Sequence, residues 1–437
     1  MQTTVGLLGC GNVGSGVARM LVEDGDFISR KLGWPLRLAK IGIGDFSDPR
    51  PWEPPSGLLT TNAGEIIGNP DIRVVVEVMG GLEPARTFIL KALNSGQHVV
   101  TANKALLARH GREIFEAAAA NKVEVLFEAA VAGGIPIIRT MKEGLSANRI
   151  RHLLGILNGT TNYILTRMSR EALGFQEALA EAQKAGYAEA DPTFDIEGYD
   201  AAHKLILLTA LAYGSLPALE DIHVEGISRL TPEDISFAAE LGYVIKLLAL
   251  ASRDEQDRLE VRLHPAMLPR DNLLSNINGA LNAVLVSGHA VGDILQTGAG
   301  AGMMPTASSV LADIIELARA DHSGVSQRVP PLGWPSLSAE KPKPMAEVRT
   351  AYYLRLTVAD RPGVLAAIAG IFAGHSISLA QVIQKQAAQS GAESAATPLV
   401  ILTHTALERD MTQALAEIGQ LDSVLAPTRV IRVEDKL

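Results

Sequence analysis

Asp200 and Lys204 stand four residues apart where an acid-rich stretch, AQKAGYAEADPTFDIEGYDAAHK, runs into the apolar LILLTALAYG. On a helix that spacing puts both side chains on one face, one turn from each other. A carboxylate so placed can orient an ammonium group, and a lysine held that way can protonate an oxygen on which charge develops. The same spacing also describes an exposed ion pair worth roughly a few tenths of a kcal/mol. Two features weigh against that reading. The helix is too apolar for a surface position, and the loop before it carries Glu189, Asp191, Asp195 and Glu197. A second cation, Lys104, follows the apolar HVVT and the polar TAN, which places it at the carboxyl end of a strand. Open α/β sheets put their ligands at that end.

These groups need a scaffold, and the chain start supplies its first part. TTVGLLGCGNVGSGVARML reads as a strand, a turn on Gly9, Gly11 and Gly14 enclosing Asn12 and Val13, and a helix. Glycines at that spacing permit the tight turn and let backbone amides reach a pyrophosphate at the helix N-terminus. LRLAKIGIGD reads as the second strand, with Asp45 where an acid would hold the ribose hydroxyls of NAD. Gly44 offers no side chain to grip a 2′-phosphate and Asp45 would repel one, which favours NAD, whereas Arg50 nearby leaves NADP open. RVVVEVMGG and HVVTANKALLA continue a Rossmann pattern to residue 136, and VEVLFEAAVAGGIP leads out of it. IRHLLGILNGTTNYIL reads as a strand ending at Asn158-Gly159 and a helix. Thr231-Pro232-Glu233-Asp234 starts a long helix with a cap, a first-turn proline and acids at the positive dipole end. RLEVRLHPAML and NGALNAVLVSG read as antiparallel strands, and LQTGAGAGMMPTASSVLADIIELA as a glycine loop and a helix.

The pattern divides into a dinucleotide-binding domain (1–136, completed by a returning helix at 303–320), a substrate domain of α+β type (137–302), a proline-rich linker (323–348) and a tail (349–437). The tail alternates in the order βαββαβ, a ferredoxin-like arrangement. With 437 residues there is length for such domains, each with its own core. The net charge of −9 and the lack of a Lys/Arg cluster argue against nucleic acid as a partner. No apolar run reaches the ~18 residues that span a bilayer, and the first residues lack the basic region of a signal peptide. One cysteine, Cys10, excludes an intrachain disulfide and suits a reducing cytoplasm.

Ala182, Gly186, Tyr187, Asp191-Pro192, Asp195-Ile196, Gly198, Asp200 and Lys204, in that order and spacing, resemble the signature of homoserine dehydrogenases. TANKALLA, VEVLFEAAVAGGIP and NGTTN resemble further segments of that family, and DRPGVLAAIAGIF in the tail is similar to ACT domains. The resemblance implies a monofunctional enzyme, without the kinase domain fused in some relatives. It would interconvert L-homoserine and L-aspartate 4-semialdehyde with NAD or NADP, in threonine, methionine and isoleucine synthesis. It implies Lys204 as proton donor, Lys104 on the nicotinamide and substrate side, and Glu189 and Asp200 on the substrate's ammonium group, with Asp195 behind them. Gly186 and Gly302 would lie at the cofactor. A monovalent cation, Na+ or K+, would be held by the Glu128 carboxylate and the carbonyls of Val131, Gly133 and Ile135, an all-oxygen set suited to a hard ion. The tail implies an amino-acid effector, L-threonine, received at the Asp360, Pro362 and Gly363 turn, and a homodimer or homotetramer. For Lys204 to exchange protons near neutrality, its environment must remove ~4 kcal/mol of preference for the charged form.

Three other classes fit the same residues less well. A phosphorylating semialdehyde dehydrogenase needs a cysteine nucleophile, and Cys10 lies among the phosphate-loop glycines. A dehydrogenase of 2-hydroxy acids bearing an ACT domain would want a catalytic histidine in the nucleotide half and leaves 182–204 unexplained. A catalytically silent sensor of nucleotide and amino acid has no use for Lys104, Asp200 and Lys204 together.

Overall fold

Buried runs such as VVVE and HVVT, with polar helices between them, lay down a parallel sheet first. In the computed structural model, which describes residues 2–325, 328–338, 340–384 and 396–435, the first elements are β1 (Thr3–Leu8), α1 (Asn12–Glu23), α2 (Gly25–Leu32), β2 (Leu36–Gly42) and β3 (Leu59–Thr60). β4 (Val74–Glu77), α3 (Ala85–Asn94), β5 (His98–Thr101), α4 (Lys104–Ala120) and β6 (Val125–Leu126) follow. The strand order is β3-β2-β1-β4-β5-β6, parallel throughout. The order reverses between β1 and β4, and the crevice at their carboxyl ends is where such sheets bind dinucleotides.

The chain continues with α5 (Ile137–Arg139), β7 (Ile150–Ile156), α6 (Gly159–Glu171), α7 (Phe175–Lys184), α8 (Thr193–Ile196), α9 (Tyr199–Tyr213), β8 (His223–Val224), α10 (Pro232–Glu240) and β9 (Tyr243–Arg253). Then come β10 (Leu259–Pro269), β11 (Leu281–Gly288), β12 (Gly292–Ala299) and α11 (Met303–Ser323). The last elements are β13 (Arg349–Ala359), α12 (Val364–Gly374), β14 (Leu379–Gln384), β15 (Ala396–Thr403), β16 (Ala406–Leu407), α13 (Glu408–Ile418) and β17 (Arg429–Val433). Among the described residues no helix is long and apolar enough to cross a membrane.

These elements form two compact units that do not follow chain order. The first comprises Met1–Gly159, Asp200–Glu220 and Ala280–Lys341. Its parallel sheet shares one core with α11, whose Ala307, Val310, Leu311, Ile314 and Leu317 pack with Val5, Leu7, Val17, Val74 and Val76. β11 lies antiparallel between β7 and β12 in the same unit. The proline-rich segment is pinned here: the Trp334 indole donates to the Leu211 carbonyl at 2.9 Å, and the Ser338 amide to Gly214 at 2.7 Å.

The second unit comprises Thr160–Tyr199, Asp221–Gly279 and Pro342–Leu437. α12 and α13 cover a sheet in which β13 pairs antiparallel with β15 and β17, and β14 with β15. This is the βαββαβ arrangement expected of the tail, around a core of Leu354, Leu356, Ile368, Phe372, Ile401 and Ile418. The tail is not a body apart. β17 pairs in parallel with β10, Ala266 opposite Arg432 and Met267 opposite Val433, while β10 pairs antiparallel with β9 along its length. Ion pairs cross the seam: Arg262 with Glu434 at 2.8 Å, both buried, Arg355 with the buried Asp234 at 2.6 Å, and Arg432 with the half-buried Glu225 at 2.8 Å, while Arg432 also pairs with Glu408 inside the tail.

Two local expectations change. The helix after Thr231 has its capping box but runs only nine residues, because Gly242 turns the chain at φ 86° and the β-branched Val244 and Ile245 enter β9. The strands at 258–268 and 278–288 are antiparallel, yet each to other partners than the other.

Candidate active site

α9 explains how a carboxylate and a lysine come to be buried together. Asp200 lies in its first turn, where an acid is favoured by the helix dipole, and nearly every later residue is apolar and buried. Asp200 and Lys204 are only 6% and 7% exposed, so this is no surface ion pair. Lys204 Nζ donates to Asp200 Oδ2 and to the Leu157 carbonyl, both at 2.7 Å. Lys104 Nζ reaches Asp200 Oδ1 at 3.1 Å, and Asn158 Nδ2 donates to Oδ2 at 2.9 Å. Burial alone would raise the Asp200 carboxyl, but the two ammonium groups and the bond from Asn158 hold it far below the usual carboxylate range. Two cations share one anion here. The excess positive charge in a buried setting suits an oxygen that becomes negative during reaction.

Lys104 arrives there because it is the first residue of α4. The Asn103 side chain caps that helix by accepting from the Leu106 amide at 3.2 Å. Asn158 and Leu157 come from the chain just past β7.

A cavity of about 530 Å³ lies at the carboxyl ends of β1 and β4, lined among others by Gly9, Cys10, Gly11, Arg50, Val78 and Met79. Gly9 has φ 103°, and a Cβ on Gly14 would stand 2.0 Å from the Gly9 carbonyl oxygen, so the turn requires both glycines. α1 begins at Asn12 behind Gly11 with no side-chain cap, which leaves its first amides for an anionic ligand. Val13 packs against the sheet's core. Asp45 lies past β2, exposed, its Oδ1 accepting from the Ser47 amide and hydroxyl at 2.7 Å each; those bonds lower its carboxyl pKa. The wall at that level is formed by Asp48, Pro49 and Arg50. The Arg50 guanidinium donates to the carbonyls of Asp45 and Phe46.

Other expected residues fall elsewhere. Gly302 is the N-cap of α11 with φ 121°, in the first unit. Gly186, Glu189 and Asp195 belong to the second unit. Gly186 turns the chain after α7 at φ 76°, Glu189 is exposed, and Asp195 Oδ2 lies 3.2 Å from the Thr160 hydroxyl, which donates to the Tyr187 carbonyl at 2.5 Å. The Glu128 carboxylate is buried and accepts the amides of Ile138 and Arg139 at 2.8 and 2.9 Å, so its oxygens cap the start of α5. The Gly133 carbonyl accepts from Ser309 Oγ at 2.7 Å and that of Ile135 from the Ile137 amide. Each Glu128 oxygen, like the Gly133 and Ile135 carbonyls, keeps a lone pair beside the bond it accepts, so the Glu128 carboxylate and the carbonyls of Val131, Gly133 and Ile135 remain the all-oxygen set that would hold a hard cation. Asn158 enters as a ligand of Asp200 that spacing did not single out; NGTTN was legible as a polar loop, but its partner lies on another element.

Comparisons with known proteins agree with this geometry. The pattern that defines "Homoserine dehydrogenase" matches residues 136–315, that of "Homoserine dehydrogenase, NAD binding domain" residues 9–128, and that of the ACT domain residues 352–422. The chain is 45% identical over 433 residues to the homoserine dehydrogenase of Pseudomonas aeruginosa, covering 98% of each, and 40% identical over 430 residues to that of Bacillus subtilis, again 98% of each. Among solved structures it resembles a homoserine dehydrogenase from Thiobacillus denitrificans with TM-score 0.93 and 47% identity, covering 100% of this chain and 99% of that one. A hyperthermophilic archaeal homoserine dehydrogenase mutant in complex with NADPH is 27% identical, with TM-score 0.61 over 72% of this chain and 98% of that one.

Proposed function

The chain belongs to the homoserine dehydrogenase family and is an oxidoreductase that uses a nicotinamide dinucleotide, and from that premise we propose how its residues divide the work. The observation that carries the reading is one buried carboxylate, Asp200, holding two lysines at the carboxyl end of a dinucleotide-binding sheet. Lys204 is the proton donor to the oxygen of L-aspartate 4-semialdehyde and takes the proton back from L-homoserine. Lys104 adds positive field on the nicotinamide side. Asp200 fixes the direction of both ammonium groups, a fuller use of its oxygens than a substrate contact. Glu189 receives the substrate's ammonium group and Asp195 stands behind it. The bound nicotinamide supplies or accepts the hydride. Excluding water from the lysine pair strengthens its pull on the developing alkoxide, which must otherwise form against solvent.

Lys204→Ala is expected to lower kcat ~10²- to 10⁴-fold with the cofactor KM little changed. Retention of more than half the wild-type kcat at saturating substrate would remove Lys204 from this role.

The cofactor choice turns on Arg50. Gly44 and Asp45 favour NAD by sequence, but the Asp45 carboxylate is engaged by Ser47 while the nearly buried Arg50 side chain lines the cavity. A 2′-phosphate there would meet a guanidinium, so NADP is accepted beside NAD. Arg50→Ala should reduce kcat/KM for NADP ~10-fold and leave the value for NAD within ~3-fold. Equal losses for both cofactors would contradict that assignment.

The ACT module, α12 of which starts behind Gly363 at φ 92°, takes an amino-acid effector, with L-threonine as the reading to test. Paired ACT modules make the enzyme a homodimer or homotetramer. The single thiol, Cys10, suits a cytoplasmic setting.

A further inference from the structure

Glu77 ends β4 and is completely buried, yet among the described residues no lysine, arginine or histidine forms an ion pair with it. Its carboxylate is held by neutral donors alone. Oε1 accepts the amides of Met79 at 2.9 Å and Gly80 at 3.3 Å, and Oε2 accepts the Thr101 hydroxyl at 2.7 Å. Thr101 Oγ1 in turn accepts the Asn103 amide at 3.0 Å, and Asn103 Nδ2 donates to the Gly81 carbonyl at 2.7 Å. The bonds close a ring between two chain segments. One is the Val78–Gly81 loop, whose Val78 and Met79 line the dinucleotide cavity. The other is the turn from Thr101 to Asn103, which caps α4 and so sets its first residue, Lys104.

A buried carboxylate without a cation costs several kcal/mol, of order, relative to an apolar side chain of similar size. Burial pushes the Glu77 carboxyl up, and the bonds from Thr101, Met79, Gly80 and Asn103 pull it part of the way back. Strand packing alone does not need it. What the anion adds is strong, directional bonds to a loop and a turn that no local rule would bring into register. The adenosine side of the crevice lies past β2, so the loop past β4, the first strand of the other half, falls on the nicotinamide side.

We propose that Glu77 is a positioning residue for hydride transfer, joining the nicotinamide-side loop and the Lys104 turn into one hydrogen-bonded piece so that cofactor and lysine keep a fixed mutual placement. The inference rests on the reading of Lys104 given above. Its consequence is catalytic and not only structural: loosening the ring displaces the reacting groups by fractions of an ångström, which orientation-sensitive steps register strongly.

The experiment compares Glu77→Gln, Thr101→Val, Thr101→Ser and Lys104→Ala in the full chain with NAD(P) and L-homoserine, unlabelled or deuterated at the carbinol carbon. Glu77→Gln and Thr101→Val should lower kcat ~10- to 100-fold, with KM for homoserine within ~3-fold and a larger deuterium isotope effect as hydride transfer becomes limiting. Thr101→Ser, which keeps the hydroxyl, should return to within ~3-fold of wild type. If Glu77→Gln does not fold, Thr101→Val, which breaks the same bond, is judged by the same numbers. A folded variant with lowered thermal stability but wild-type kcat and isotope effect would overturn the role of Glu77. Lys104→Ala with full activity would overturn the reading of the site itself, whereas an inactive Lys104→Ala beside a wild-type Glu77→Gln would sink the Glu77 inference alone.

Discussion

Asp200 carries the electrostatics of the site on a single pair of oxygens, one facing Lys104 and the other Lys204 and Asn158. Because its carboxyl is held far below the usual range, its contribution to stability is present above the unfolded-state value and is lost only as pH falls through the lower folded-state value. Asp200 therefore stays ionised across the working range of pH. In Asp200→Asn the two ammonium groups lose their shared anion and face each other, and like charges make at least one give up its proton more readily. The limb of the kcat/KM profile that reports the lysine should move ~1 to 2 pH units lower, with kcat reduced. An unshifted profile would mean that neither lysine titrates in the reaction.

Much at the level of elements was legible in the chain. The Asp200–Lys204 spacing, the glycine turn behind β1 and the cap at Thr231 are local signals, and each is a contact within one helix or turn. The return of α11 to the first sheet was legible too, but the polar side-chain contacts made across elements escaped. Asn158 meets Asp200 only because β7 and α9 share a unit, and Glu77 meets Thr101 only because β4 and β5 are sheet neighbours. Lys246 is a third case. LGYVIKLLALAS marks it as a lone lysine in an apolar strand, but its partners, Asn162 Oδ1 at 3.0 Å and the Ile277 carbonyl at 2.5 Å, lie on α6 and on the loop after β10. Burial first, then the Arg170 charge, push its pKa down to about 8. Lys246→Met keeps the volume and strands those acceptors, so α6 should lose its anchor at a cost of ~2 to 3 kcal/mol. Chemical denaturation measures this; a loss below ~0.5 kcal/mol would show that the ammonium bonds add nothing over packing.

At the largest scale, the ACT module has its own core but shares a sheet with β9 and β10, and so is not a detachable sensor. Removing residues 345–437 strips β10 of its β17 neighbour and leaves Arg262 and Asp234 without Glu434 and Arg355. A truncated enzyme should therefore melt several degrees lower, and it should recover poorly in soluble form, before any question of threonine is reached. Full solubility and unchanged melting would contradict the seam. Substitutions at the Asp360–Gly363 turn in the full chain are the cleaner way to remove an effector's action. The pairing of Ala266 with Arg432 also bears on how the protein is made. Synthesis runs from the N-terminus, so β9 and β10 leave the ribosome long before their partner exists. During that interval, at ~5 to 20 residues per second, the β10 edge is covered by β8 only at Arg262 and Leu263, and the stretch at Ala266 and Met267 waits for β17. The nascent chain must either keep that hairpin loose or have it shielded, and a pause in translation anywhere between residues 270 and 429 would lengthen the exposure.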